Sequence, residues 1–242
     1  MGLERTGARF ETTRWTLVEA LRGEDEAARQ DATVRLVQAY WPAVYGYLRR
    51  RGQGREQAAE ETQAFFADVV LGRELFGRAD RDRGRLRTLV LASLRNYQRD
   101  AARADGRRAA VSQPPRDAIE SVERSMGATG AGPEEEFDRQ WAAAALNEAI
   151  ARCRAHFEGN GKVAHWRLFE ARELAPARGQ VAARSMAELA AELGYRSAAD
   201  AAAAVQTVKK RLLALLEEVV SESSATEEDF EAEIAWMRSA VS

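Results

Sequence analysis

The spacing of apolar residues decides what this chain can fold into. Leu86, Leu89, Val90, Leu94 and Tyr97 fall at i, i+3, i+4, i+8 and i+11. That is one continuous stripe on a helix and no single face of a strand. The same period recurs in Leu36, Val37, Tyr40, Trp41, Val44 and Leu48, and again in Phe137, Trp141, Leu146, Ile150 and Cys153. Strand-like β-branched runs are nearly absent, and only five prolines interrupt 242 residues. An all-α chain follows. With 45% apolar and 31% charged residues it is packable rather than disordered.

Punctuation divides the chain. A short helix is expected from Thr13 to Leu21, with Trp15, Val18 and Leu21 on one face. Pro42 falls inside the next apolar block and should kink it or split it in two. The glycines of "RRRGQGRE" end that block. A helix over residues 56–71 buries Phe65, Phe66, Val69 and Val70. Its other face carries Glu56, Glu60 and Glu61. Residues 110–133 contain "SQPPRD" and "GATGAGP", which read as a flexible linker with one frayed helical turn at most. A second helical domain begins near residue 134. There, Ser185 and Glu188 form a capping-type start and Gly194 a stop. The long run "AADAAAAVQTVKKRLLALLEEVV" follows, giving a helix-turn-helix pattern. The division is therefore an N-terminal extension (1–31), a first helical domain (32–109), a linker (110–133), a second helical domain (134–221) and an acidic tail (222–242). A last helix is expected near residues 230–237.

Charge is unevenly spread. Residues 78–108 hold ten arginines against four aspartates, whereas the whole chain has a net charge of −2 and a pI near 5.9. A solvated helix face is the ordinary reading of such a run. Here the excess exceeds what the local aspartates can pair, and it extends over both the helix and the loop before it. Arginine offers planar donors for phosphate. Tyr97 is either a stacking platform for an unpaired base or the end of the apolar stripe.

Catalytic constellations are missing from the sequence. His156 and His165 are the only histidines and fit no HExxH or Cys/His metal spacing. "GNGK" is not a phosphate-binding Walker loop, and no GxGxxG or GxSxG occurs. Cys153, the only cysteine, lies on an apolar helical face and reads as packed. No catalytic residue, metal or cofactor is expected. No apolar run reaches the roughly 20 residues of a membrane span. The first fifteen residues carry no signal-peptide core. A cytoplasmic protein without membrane insertion is the expectation.

Together the motifs resemble an RNA polymerase sigma factor of the extracytoplasmic-function type (group IV of the sigma-70 family), closest to a planctomycete-like branch. "FETTRWTLVEAL" is similar to that branch's N-terminal signature, and "AYWPAVYGYLRRRG" to region 2.1. "AAEETQAFFADVVL" resembles region 2.2, and "ADRDRGRLRTLVLASLRNYQRD" regions 2.3–2.4. "SMAELAAELGYRSAADAAAAVQTVKKRLLALLEEV" resembles the region 4.2 helix-turn-helix, and "EEDFEAEIAWM" the branch's C-terminal helix.

The resemblance implies two helical domains that bind core RNA polymerase, through its β′ coiled coil and β flap, and promoter DNA. An anti-sigma factor is a further implied partner. Glu56, Glu60 and Gln63 would dock on polymerase. Arg81, Arg83, Arg85, Arg87, Arg95, Asn96, Tyr97 and Arg99 would hold the −10 region. Gln206, Thr207, Lys209 and Lys210 would meet the −35 region. The chain departs from the family at Glu60-Glu61, where Asp-Leu is usual. It departs again at Ala202 and Gln206, where Lys and His are common, and the turn "GYRSAAD" is one residue longer. The rival readings are a helix-turn-helix regulator acting without polymerase, a sigma-like protein with degenerate −35 recognition, and a helical nucleic-acid-processing enzyme.

Overall fold

The structure is a computed structural model. It describes residues 14–71, 75, 86–101, 116–126, 132–177, 179, 182, 184–221, 231 and 234–235. Most of these residues are helical, with no strand among them, as the apolar period requires. The chain divides into two compact units, residues 1–144 with 220–242, and residues 145–219.

The first unit is organised on α2 (Glu26–Arg50). Asp25 caps it, its carboxylate accepting from the Ala27 and Ala28 amides at 3.0 and 3.3 Å. Pro42 does not split this helix. The carbonyl that loses its partner belongs to Gln38, which is exposed and open to water. On either side of the proline, Tyr40, Trp41, Val44, Tyr45 and Leu48 are buried, and that packing holds the helix through it. α1 (Arg14–Arg22) packs on α2 through the buried Leu17 and Val18.

α3 (Arg55–Phe65) follows and widens into a π-helical turn at Phe66–Leu71. Phe65, Phe66 and Val69 are buried there. α4 (Leu86–Ala101) buries Leu86, Val90, Leu94 and Tyr97 of the stripe read from the sequence and leaves Leu89 half-buried.

The segment expected to be a linker differs. It contains α5 (Arg116–Ser125), packed on α2 with Ile119 and Val122 buried. Glu123 fixes it there, accepting from Arg49 Nε at 2.6 Å and Arg49 Nη2 at 3.1 Å, and from the Tyr45 hydroxyl. Those bonds hold the Glu123 carboxyl below its usual range, and burial together with Glu123 pushes the Tyr45 phenol up.

The expected domain start also moves. α6 (Pro133–Gly159) gives its residues up to Ala144 to the first unit and the remainder to the second. Its first turns approach α2 closely at Gly46. A side chain there would bring a Cβ within 2.9 Å of the Gln140 Cγ and 3.2 Å of the Glu136 Cγ. Glu136 is fully buried and holds Arg50, Arg139 and Gln140.

The second unit contains the rest of α6, α7 (Val163–Phe169) with a π-helical continuation at Glu170–Leu174, the single turn α8 (Ala175–Ala177), α9 (Met186–Glu192), and α10 (Ala198–Ser221) through Val219. Cys153, Phe157, Trp166, Leu168, Leu189, Val205, Val208 and Leu215 are its buried residues of note. The expected C-terminal helix lies mostly outside the described residues.

Candidate nucleic-acid interface

α3 presents the acidic face. Glu56 and Glu60, one helical turn apart, are exposed. Gln63 is half-buried. Glu61 does not join them. It is 3% exposed and accepts from Gln53 Nε2 at 2.6 Å and Gln98 Nε2 at 3.1 Å. It therefore ties the turn after α2 and the body of α4 to α3, where a leucine would only fill space. The helical period places position 61 on the inner face with Ala58, Thr62 and Phe65, and only its residue type says surface.

α4 carries the basic residues. Arg81, Arg83 and Arg85 lie outside the described residues. Arg87 is 13% exposed, pairs with Asp138, and lies 5.2 Å above the Trp141 ring. Arg95 pairs with Glu134. Asn96 and Arg99 are exposed and bond to each other. Tyr97 is a correction to the stacking expectation. It is 8% exposed, with its ring edge-on to Phe65 at 5.7 Å. A ring enclosed in the core offers no free face to a base. Of the α4 residues expected to reach DNA, Asn96 and Arg99 stand on the exposed surface and Arg95 is partly exposed within its pair with Glu134.

In the second unit the helix-turn-helix is present. Ser185 caps α9 with a reciprocal box, its hydroxyl accepting from the Glu188 amide at 3.2 Å and the Glu188 carboxylate accepting from the Ser185 amide at 3.1 Å. This ionised acceptor geometry holds the Glu188 carboxyl below its usual range. Gly194, at φ +76°, turns the chain out of α9, and the Tyr195 amide bonds back to the Ala190 carbonyl at 2.9 Å. Ser197 then caps α10 through the Asp200 amide at 3.0 Å.

α10 turns Ala199, Ala202, Ala203, Gln206, Thr207 and Lys210 outward along one row, and Ala201, Ala204, Val205 and Val208 inward. Thr207 donates to the Ala203 carbonyl at 2.9 Å. Lys209 stands apart from that row, half-buried and paired with Glu173 at 2.9 Å. Beside the turn is a concavity of about 380 Å³ lined by His165, Tyr195, Arg196, Asp200, Ala203 and Thr207. His165 Nδ1 lies 3.1 Å from the Tyr195 hydroxyl. Burial, with Lys162 nearby, lowers the His165 pKa. Sequence reasoning missed this pair, since thirty residues separate its members and neither carries a motif.

Cys153 is fully buried, and burial pushes its thiol up to about 11. Among the described residues no group of three His, Cys, Asp or Glu side chains could hold a metal ion. No described helix is long and apolar enough to cross a membrane. Comparison with known proteins gives no match to any family model, curated protein or solved structure.

Proposed function

We propose that the chain is a sigma-type initiation factor that binds core RNA polymerase and directs it to promoter DNA from the cytoplasm, with no catalytic centre of its own. The observation that carries this reading over a duplex-only regulator is the exposed acidic pair Glu56 and Glu60 on α3, while the outward row of α10 supplies the DNA contact in either case. Alanines at 199, 202 and 203 let the start of the helix approach a groove closely. Gln206 supplies the amide that can pair with an adenine edge, and Lys210 a phosphate contact. Lys209 contributes less, because Glu173 already holds it. The exposed Glu56 and Glu60 give α3 an acidic surface for polymerase, on the opposite charge to the basic helix that would face DNA. Run-off transcription with purified core enzyme on a randomised promoter library tests the proposal. Promoter-dependent transcripts are the expected outcome, and no stimulation over core enzyme alone overturns it.

A second reading is a helix-turn-helix regulator that binds duplex DNA without polymerase. One observation favours it: Arg87 and Arg95 are engaged by other side chains and Tyr97 is buried, whereas the α10 row is open. Sequence-specific duplex binding by the chain alone, together with no effect on core enzyme, would select that reading.

A further inference from the structure

The first turns of α6 use two faces for two neighbours. Glu136 and Gln140, at i and i+4, face α2 at Gly46. Glu134, Asp138 and Trp141, at i, i+4 and i+7, form a separate face that meets α4. Glu134 pairs with Arg95, Asp138 pairs with Arg87, and the Arg87 guanidinium covers the Trp141 ring. The pairing order is reversed between the two segments, so they run antiparallel. Arg87, Arg95 and Arg99 share one row of α4, at i, i+8 and i+12. The α6 face holds the first two, and Arg99 is left exposed. All of these residues belong to the first compact unit.

We infer that this start of α6 is an intramolecular clasp, an autoinhibitory contact that must open before Arg87 and Arg95 can take phosphate; the inference rests on the sigma-type reading of α4. The mechanism is competition for donors. A guanidinium bound to carboxylate cannot present the same N–H groups to a phosphate oxygen. The clasp is built for release at this face. Buried Glu136 anchors α6 on α2 without help from α4. The Arg95–Glu134 pair has side chains 42% and 57% exposed, a kind of pair that contributes little to stability. Opening that pair leaves the anchor in place; the Arg87–Asp138 pair, with side chains 13% and 29% exposed over the Trp141 ring, is the firmer half of the clasp and the one that limits its opening.

The test compares the full-length wild type with Glu134→Gln/Asp138→Asn. The control is Asp117→Asn/Glu120→Gln, which makes the same change in charge at exposed positions of α5. Binding to a fluorescein-labelled fork DNA with a single-stranded arm is followed by anisotropy across a salt series. The clasp variant should bind more tightly than wild type. Its log–log salt slope should steepen by about 1.4–1.8, two phosphate contacts at roughly 0.7–0.9 each. The control should leave the slope unchanged. Equal slopes in wild type and clasp variant, or the same gain in the control, overturn the clasp. A second measurement needs no DNA. Phenylglyoxal should label Arg87 slowly in wild type and at the rate of Arg99 in the clasp variant, and equal slow labelling in both overturns the opening. A parallel arm with core polymerase separates the two failures. Holoenzyme that does not retain the fork DNA overturns the sigma-type reading, whereas retained DNA with unchanged free-chain slopes overturns the clasp alone.

Discussion

Replacing Glu136 tests the anchor that joins α2 to the start of α6. Its carboxylate is fully buried and accepts from Arg139 Nη2 at 2.6 and 2.8 Å, Gln140 Nε2 at 2.7 Å and Arg50 Nε at 3.2 Å. In Glu136→Ala the three donors fare differently. Gln140 keeps Ser125 Oγ at 2.7 Å, and Arg139 keeps the Ser125 carbonyl at 2.6 Å with its side chain 36% exposed. Arg50 keeps the Met126 carbonyl at 2.7 Å but is only 19% exposed, so its lost partner is hardest to replace. Removing one member of a buried ion pair costs about 3–5 kcal/mol. The bonds that survive place this site lower, at about 2–3 kcal/mol, still a large share of a total of about 5–15 kcal/mol.

Urea unfolding at pH 7, followed by tryptophan fluorescence and far-UV circular dichroism, should then show a midpoint lower by roughly 1 M with an unchanged m-value. Glu136→Gln keeps the shape and one acceptor oxygen and should lose about half as much. Glu136→Leu/Arg50→Met removes both charges, and should cost less than the sum of the single changes. A Glu136→Ala protein within about 0.5 kcal/mol of wild type would refute the anchor, as would strict additivity in the double variant.

The His165 imidazole is held below its ordinary value of 6.5 in the folded state, mainly by burial. The unfolded chain then binds more protons, so the second unit should keep full stability above pH 6.5 and lose it as pH falls through the lowered value. Thermal unfolding between pH 7.5 and pH 5, comparing wild type with His165→Gln, checks this, and a difference in midpoint that is independent of pH over that range contradicts it. Ser185→Ala removes the α9 cap and should cost about 0.5–2 kcal/mol in urea unfolding of the second unit, with Ser185→Asp close to wild type. Cys153 should react with iodoacetamide only as the protein unfolds, because burial keeps the thiol protonated; rapid alkylation of the native chain would contradict its placement. Glu60→Lys, at an exposed site on α3, should leave the unfolding midpoint unchanged and weaken co-purification with core polymerase; undiminished co-purification removes Glu60 from the proposed contact.

Helix identity and the buried stripes were legible in the sequence because both depend on spacing within one segment. Leu86, Val90 and Leu94 fall on the inner face by period alone, and Ser185 with Glu188 marks a helix start by local chemistry. The period left Tyr97 open between the end of the stripe and a stacking platform, and its packing against Phe65 decided for the stripe. What the sequence left open was the fate of each charge. Glu61 and Glu136 are acids at inner positions, and residue type alone would put both on the surface. Gly46 lets the first turns of α6 come close, and that approach became visible only in the packing. The partners themselves lie far off in the chain. Gln98 reaches Glu61 across 37 residues, Arg87 reaches Asp138 across 51, Arg49 reaches Glu123 across 74 and Arg50 reaches Glu136 across 86. A run of arginines fixes how much positive charge a helix carries. Whether a guanidinium meets a carboxylate, an aromatic face or solvent depends on which helix faces are brought together, and only the tertiary packing of α2, α4, α5 and α6 sets that.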